Sequence, residues 1–185
     1  MPQTNAAGME MKAMEKIQSV QQLMTTAMTY VLDAEEKLAQ AAPKWAEASA
    51  SPELKELFSK TATKSQEYAK RVEQAFGKIG EQVQRNDNHI VAAMIREVEE
   101  MIKNTDNGPV RDAALIVAAN QQQLFRVASY GSLDSYAKTI GKQDAVREID
   151  ESLEDSKNGD KKFTELAESK INRQAAEASQ ELAHA

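Results

Sequence analysis

Two stretches of the chain put chemistry where a helix should be apolar. Glu35 falls on the stripe Ile17, Val20, Met24, Ala27, Val31, Leu38, Ala42 and Trp45, between Val31 and Leu38. Asn120, Gln123 and Arg126 fall at the centre of Val110–Leu133, whose two ends are apolar. A polar group carried into a helical core is costly unless a partner satisfies it. Inward carboxylates on several helices are how a bundle holds two divalent cations. Two helices each supply a Glu, two others supply Glu-x-x-His, and the anionic oxygens offset the metal charge. Only Glu35 qualifies cleanly as an inward carboxylate, so the full set is not present. The plainer reading of one such carboxylate is an edge residue reaching out to water.

Other chemistry is absent or weak. His89 and His184 fall at a loop edge and near the C-terminus, with no second ligand at helical spacing. There is no HExxH, phosphate-binding loop, GxGxxG or EF-hand pattern. Ser129-Tyr-Gly131 lies inside a helical pattern, which is not the strand-turn-helix of a nucleophile elbow. Met9, Met11 and Met14 read as helix-packing residues rather than soft-metal ligands. The chain has no cysteine, hence no disulfide, thiolate ligand or Cys nucleophile. A net charge of −6 argues against a general nucleic-acid binder, because phosphates would go unneutralised. No apolar run approaches the roughly 18 residues of a membrane span. The N-terminus lacks the basic start and apolar run of a signal peptide, so a cytoplasmic protein is expected.

The elements that must position these residues are helices. The 185 residues suffice for one sizeable core and not for two. Helix formers dominate, with 7 Gly and 4 Pro. The periodicity predicts helix 1 over 11–48, with Pro43 kinking it or ending it early. Ser51 and Pro52 are an N-cap and a first helical residue. They open helix 2, which runs to Ile79 with Leu54, Phe58, Ala62, Ser65, Ala69, Val72 and Phe76 on its stripe. Helix 3 is expected over 89–103, with Ile90, Met94 and Val98 inward. Asn104 to Pro109 is the strongest turn signal. Helix 4 follows over 109–140 with Gly141 as its stop, and helix 5 starts near Asp144, interrupted by Asn158-Gly159. The fold class expected is all-α: an up-and-down four-helix bundle plus a fifth helix. Residues 1–10 are expected to be a flexible N-terminus, 11–170 the bundle, and 171–185 a solvated tail.

Val110-Arg-Asp-Ala-Ala-Leu-Ile116, with Ala128-Ser-Tyr-Gly-Ser-Leu133, resembles the YciF-type family of bacterial ferritin-like proteins, which is associated with stress responses. Asp33-Ala-Glu-Glu-Lys-Leu38 and Leu153-Glu-Asp-Ser-Lys157 with Asp160 resemble it too, less specifically. The resemblance spans roughly residues 17 to 168. It implies a ferritin-like bundle, usually dimeric, with a dinuclear metal centre and no settled activity.

Carrying the family's ligands onto this chain gives an incomplete set. The resemblance keeps the helix 1 carboxylate as Glu35. It puts the Glu-x-x-His of helix 2 on Thr63 and Gln66, and the helix 3 Glu on Ala92. The acidic pair of helix 4 falls on Gln123 and Arg126, and the helix 5 Glu falls near Asp155 or Ser156. At most Glu35 and Asp155 remain as anionic ligands, against about six ligands in such centres. Removing cations from an acidic cluster requires removing acids or supplying a cation, and Arg126 is a cation. The expectation is a core network in which Arg126, with Gln66 and Gln123, satisfies Glu35, and no cofactor. Three functions stay open. One is a metal-free, non-catalytic, stress-associated structural or interaction protein, acting as a homodimer with no nucleic-acid or membrane partner. The second is a residual iron or manganese protein using Glu35 and Asp155, with ferroxidase-like or other oxidoreductase activity. The third is a small-molecule binder using the old centre as a pocket.

Overall fold

A computed structural model describes residues 16–183. Its helices are α1 (Val20–Ala48), α2 (Pro52–Ile79), α3 (His89–Lys103), α4 (Pro109–Thr139), α5 (Gln143–Leu166) and α6 (Asn172–Ala183). A π-helical turn, Ala167–Ile171, joins the last two. No strand occurs among the described residues. The expected methionine cluster at Met9, Met11 and Met14, the flexible N-terminus and His184 lie outside them.

Local chemistry sets the helix ends. The Ser19 hydroxyl accepts from the Gln22 amide, so α1 begins at Val20. The expected helical residues 16–19 are therefore not helical, because a capping serine keeps extended backbone. Pro43 stays inside α1, which runs on to Ala48. Ser51 caps α2, with Pro52 as its first residue. Gly80 ends α2 at φ 83°, a left-handed conformation that costs glycine little. The Asn88 side chain caps α3 by accepting from Val91 at 2.9 Å. That cap turns Val91, Met94 and Val98 inward and leaves Ile90 69% exposed, correcting the expected inward Ile90. Asn158-Gly159 does not break α5, which is continuous. Most of the segment expected as a solvated tail is helical as α6, which packs on α4.

Four long helices, α1, α2, α4 and α5, form the bundle. α1 packs on α2 and α4, and α5 packs on the same two helices. The chain crosses from α2 to α4 through α3, which packs on α1 and α4. Two aspartates fix this crossover. Asp33 accepts the Asn88 amide at 2.7 Å, seating α3 beside α1. Asp112, 3% exposed, accepts the amides of Ala50 at 2.8 Å and Ser51 at 2.7 Å. It thereby ties the first turn of α4 to the α1–α2 connection.

The core has two apolar layers. One gathers Leu38, Trp45, Leu54, Phe58, Leu115 and Phe163, with Phe58 5.7 Å from Trp45 and 5.4 Å from Phe163 between ring centroids. The other gathers Met28, Leu32, Val72, Phe76, Tyr130 and Leu133. Between them, all four long helices present buried polar residues: Glu35, Ser65, Gln123 with Arg126, and Ser156.

Asp112→Ala removes two charge-assisted bonds to backbone amides, that of Ser51 buried, and should lower the unfolding free energy by about 2–4 kcal/mol. Leu124→Ser, at a position 60% exposed, should change it by less than about 0.5 kcal/mol. Urea denaturation followed by far-UV circular dichroism compares the two.

Candidate functional site

The polar layer is built from residues in register. On α2 the inward positions run Leu54, Phe58, Thr61, Ser65, Tyr68, Val72 and Phe76, each three or four residues from the last. On α4 they run Ala119, Gln122, Gln123, Arg126, Tyr130, Leu133 and Ala137. Glu35 sits between Leu32 and Leu38 of α1, fully buried.

Arg126, 1% exposed, meets Glu35 as a two-pronged fork. Its Nε donates to Glu35 Oε1 at 3.0 Å and its Nη2 to Oε2 at 2.7 Å. Nη2 also donates to Ser65 Oγ at 2.5 Å. The Tyr130 hydroxyl donates to Glu35 Oε1 at 3.1 Å. The Tyr68 ring lies 5.0 Å from the Arg126 guanidinium carbon and meets the Tyr130 ring edge-on at 5.9 Å. Burying two charges carries a desolvation cost of several kcal/mol per ion, which only close pairing and full hydrogen bonding offset. The planar guanidinium suits a carboxylate for that purpose, and a Lys would not reproduce the fork.

Burial alone would lower the pKa of Arg126. The Glu35 charge beside it reverses this and holds the guanidinium above its ordinary range. Burial, reinforced by the Glu35 charge, holds the Tyr130 phenol well above its usual value. Burial pushes Tyr68 up to about 12, against the opposing pull of Arg126. The layer is thus an ion pair lined by two phenols that burial holds above their usual range.

The residues present do not fit a dinuclear metal centre. Glu35 already accepts from a cation through both oxygens, and that guanidinium would repel incoming metal ions. Among the described residues, no three His, Cys, Asp or Glu side chains converge.

The structure sorts the residues singled out in the sequence. Glu35, Gln123, Arg126 and Ser156 are buried in the polar layer. Ser156 donates to the Ser152 carbonyl at 2.7 Å, within its own helix. Thr63 and Gln66 are exposed, so neither satisfies Glu35. The α2 period through Phe58 carries Thr61, Ser65 and Tyr68 inward and turns positions 63 and 66 out. Ala92 is half-buried against Lys37, Gln40 and Lys44 on the flank of α1, not in the layer. The Asp155 side chain is 34% exposed and pairs with Lys64 at 3.2 Å and Arg71 at 3.3 Å. Gln123 is buried beside Arg126, but its Oε1 accepts no hydrogen bond from the described residues. Ser65 stood on the expected stripe without a role, and Tyr68 and Tyr130 were not singled out. Their signal is the strict three-and-four spacing from Phe58 and from Arg126, obscured because polar residues occupy apolar slots.

The arrangement is a ferritin-like all-α bundle whose centre holds an ion pair. The chain belongs to the family described as DUF892, a domain of unknown function, whose pattern matches residues 8–176. It is 28% identical over 160 residues to the protein YciF of Escherichia coli (strain K12), covering 86% of this chain and 96% of that protein. The crystal structure of the E. coli stress protein YciF matches with a TM-score of 0.81, covering 84% of this chain and 99% of that one. YcfI of Rhodopseudomonas palustris, described as a proposed structural protein, shares the fold at 24% identity and a TM-score of 0.78, covering 81% and 96%. No helix among the described residues is long and apolar enough to cross a membrane.

Arg126→Met leaves Glu35 buried without its cation and should cost about 3–5 kcal/mol. Arg126→Met with Glu35→Leu removes both charges and should recover most of that loss, as a urea double-mutant cycle would read. Tyr68 gives a separate signature. In the unfolded chain a tyrosine loses its proton near pH 10, whereas the fold retains that of Tyr68 to about 12. Its contribution to stability is complete below the unfolded value and is lost as pH rises through the folded one. A phenolate absorbance titration should show a late step near pH 12 that Tyr68→Phe removes.

Proposed function

We propose that this chain is a metal-free, non-catalytic ferritin-like protein with a structural or interaction role in a stress response, acting as a homodimer in the cytoplasm. The observation that carries the proposal is the buried fork between Arg126 and Glu35, with Ser65 and Tyr130 completing it. A dinuclear centre needs several anionic oxygens directed at one point. Here the inward carboxylate is neutralised by a fixed side-chain cation. The cation does electrostatically what the metal would do for the fold, without an open coordination position for oxygen or substrate. The stress association draws on the description of the E. coli relative, which this chain matches over most of its length. Homodimerisation draws on the family resemblance.

Metal content tests the reading. The protein purified from cells grown with added iron and manganese should carry far less than one metal ion per chain. Its melting temperature should not move on adding Fe(II) or Mn(II), since a ligand that binds only the folded state raises stability. Near-stoichiometric metal with a raised melting temperature would overturn the reading in favour of a residual metalloprotein. Light scattering on a sizing column should give twice the mass of one chain, and a monomer would remove the dimer from the proposal.

A further inference from the structure

A cleft of about 560 Å³ opens between α2 and α5 and reaches the polar layer. Its inner end is Gln123 and Arg126, its walls include Leu57, Tyr68 and Phe163, and its outer rim carries Lys60, Lys64, Lys161 and Lys162. That volume is in the range of pockets that hold small organic ligands, about 300–1,000 Å³. Three features separate it from an incidental groove.

The first is Gln123. It is 3% exposed, it lines the cleft, and its Oε1 accepts no hydrogen bond from the described residues. A buried acceptor without a donor costs about 1–3 kcal/mol, and a ligand hydroxyl or N–H would remove that cost. The second is Gly159. A Cβ there would lie 3.0 Å from the Gln123 side-chain amide, so the glycine leaves room for the amide against α5. The third is the rim. Lys60 is paired with Glu56, and Lys64 with Glu67 and Asp155. Lys161 and Lys162 form no ion pair among the described residues, and Glu165 is the other carboxylate on the lining.

The charges fix which end of a ligand goes where. Arg126 is neutralised by Glu35, so an anion at the inner end would gain little there and would face the Glu35 carboxylate. The unpaired lysines at the rim are where an anion is favoured. The inner end calls for a neutral donor, and the walls between call for an aromatic body against Tyr68 and Phe163.

We propose that the cleft binds a small aromatic carboxylate bearing a hydroxyl, with its carboxylate at Lys161 and Lys162 and its hydroxyl donating to Gln123 Oε1. The site goes beyond the structural role proposed above. It rests on the metal-free reading only in that the Glu35–Arg126 pair closes its floor.

Isothermal titration calorimetry on protein first shown by metal analysis to be metal-free keeps the two proposals apart. The probes are 4-hydroxybenzoate, benzoate and 4-hydroxybenzyl alcohol. 4-Hydroxybenzoate should saturate the protein. Benzoate, which lacks the donor, and 4-hydroxybenzyl alcohol, which lacks the charge, should each bind about tenfold more weakly. Lys161→Glu with Lys162→Glu, two exposed positions, should weaken 4-hydroxybenzoate about tenfold and leave 4-hydroxybenzyl alcohol unchanged. Gln123→Leu should abolish the preference for 4-hydroxybenzoate over benzoate, and circular dichroism would verify its fold. The proposal is overturned if 4-hydroxybenzoate does not saturate metal-free protein. It is equally overturned if the lysine variant binds 4-hydroxybenzoate as the parent does, or if folded Gln123→Leu keeps the preference.

Discussion

The bundle depends on one buried contact, the fork by which Arg126 of α4 holds Glu35 of α1. Each charge alone would destabilise the core, because an unpaired ion in a low-dielectric interior costs several kcal/mol. Together they require a fixed geometry. Two parallel N–H···O bonds must form at once, Ser65 must reach the guanidinium from α2, and Tyr130 must reach the carboxylate. Three of the four long helices are therefore locked in height by the same few atoms. α5 closes the fourth side with small residues, Ser152 and Ser156, whose hydroxyls turn back to their own backbone.

This explains why the core is split. The aromatic layer around Trp45, Phe58 and Phe163 lies on one side of the ion pair. The layer around Met28, Leu32, Phe76 and Leu133 lies on the other. Apolar contacts supply most of the free energy of such a bundle but little positional information, since one Leu against another tolerates a shift. Slide α1 by one turn along α4, and Val31 or Leu38 would face the guanidinium while Glu35 met apolar side chains. Buried polar residues fix register in coiled coils in this way, and the same reasoning applies to these two helices.

The fold was legible in the sequence because its determinants are local. Ser51-Pro52 marks a helix start by capping chemistry that needs no tertiary context. The ion pair was partly legible: Glu35 stood on a clean stripe, and Arg126 was the cation opposite. The partners on α2 were misplaced because family ligands were carried over by alignment rather than by helical phase. The phase through Phe58 leads to Thr61, Ser65 and Tyr68, and it places Thr63 and Gln66 outside. Gly159 misled for a different reason. In sequence it reads as a helix breaker, yet α5 runs through it, and its lack of a Cβ serves a side chain on another helix. A requirement that lies between helices leaves no local trace.

Two of the motif residues that signal the family, Asp112 and Asp33, serve the scaffold rather than the centre. Asp112, in the stretch that opens α4, binds the amides of Ala50 and Ser51. Asp33, two residues before Glu35, binds the amide of Asn88. Both secure the crossover that makes a ferritin-like bundle, and neither depends on what fills the middle. These scaffold contacts are therefore separate from the hydrogen bonds of the centre. The buried charge of Glu35 must be compensated, and the Arg126 guanidinium compensates it. With both Glu35 oxygens engaged by Arg126 and one of them by Tyr130 as well, the hydrogen bonds that fix the register also fill the polar centre of the bundle.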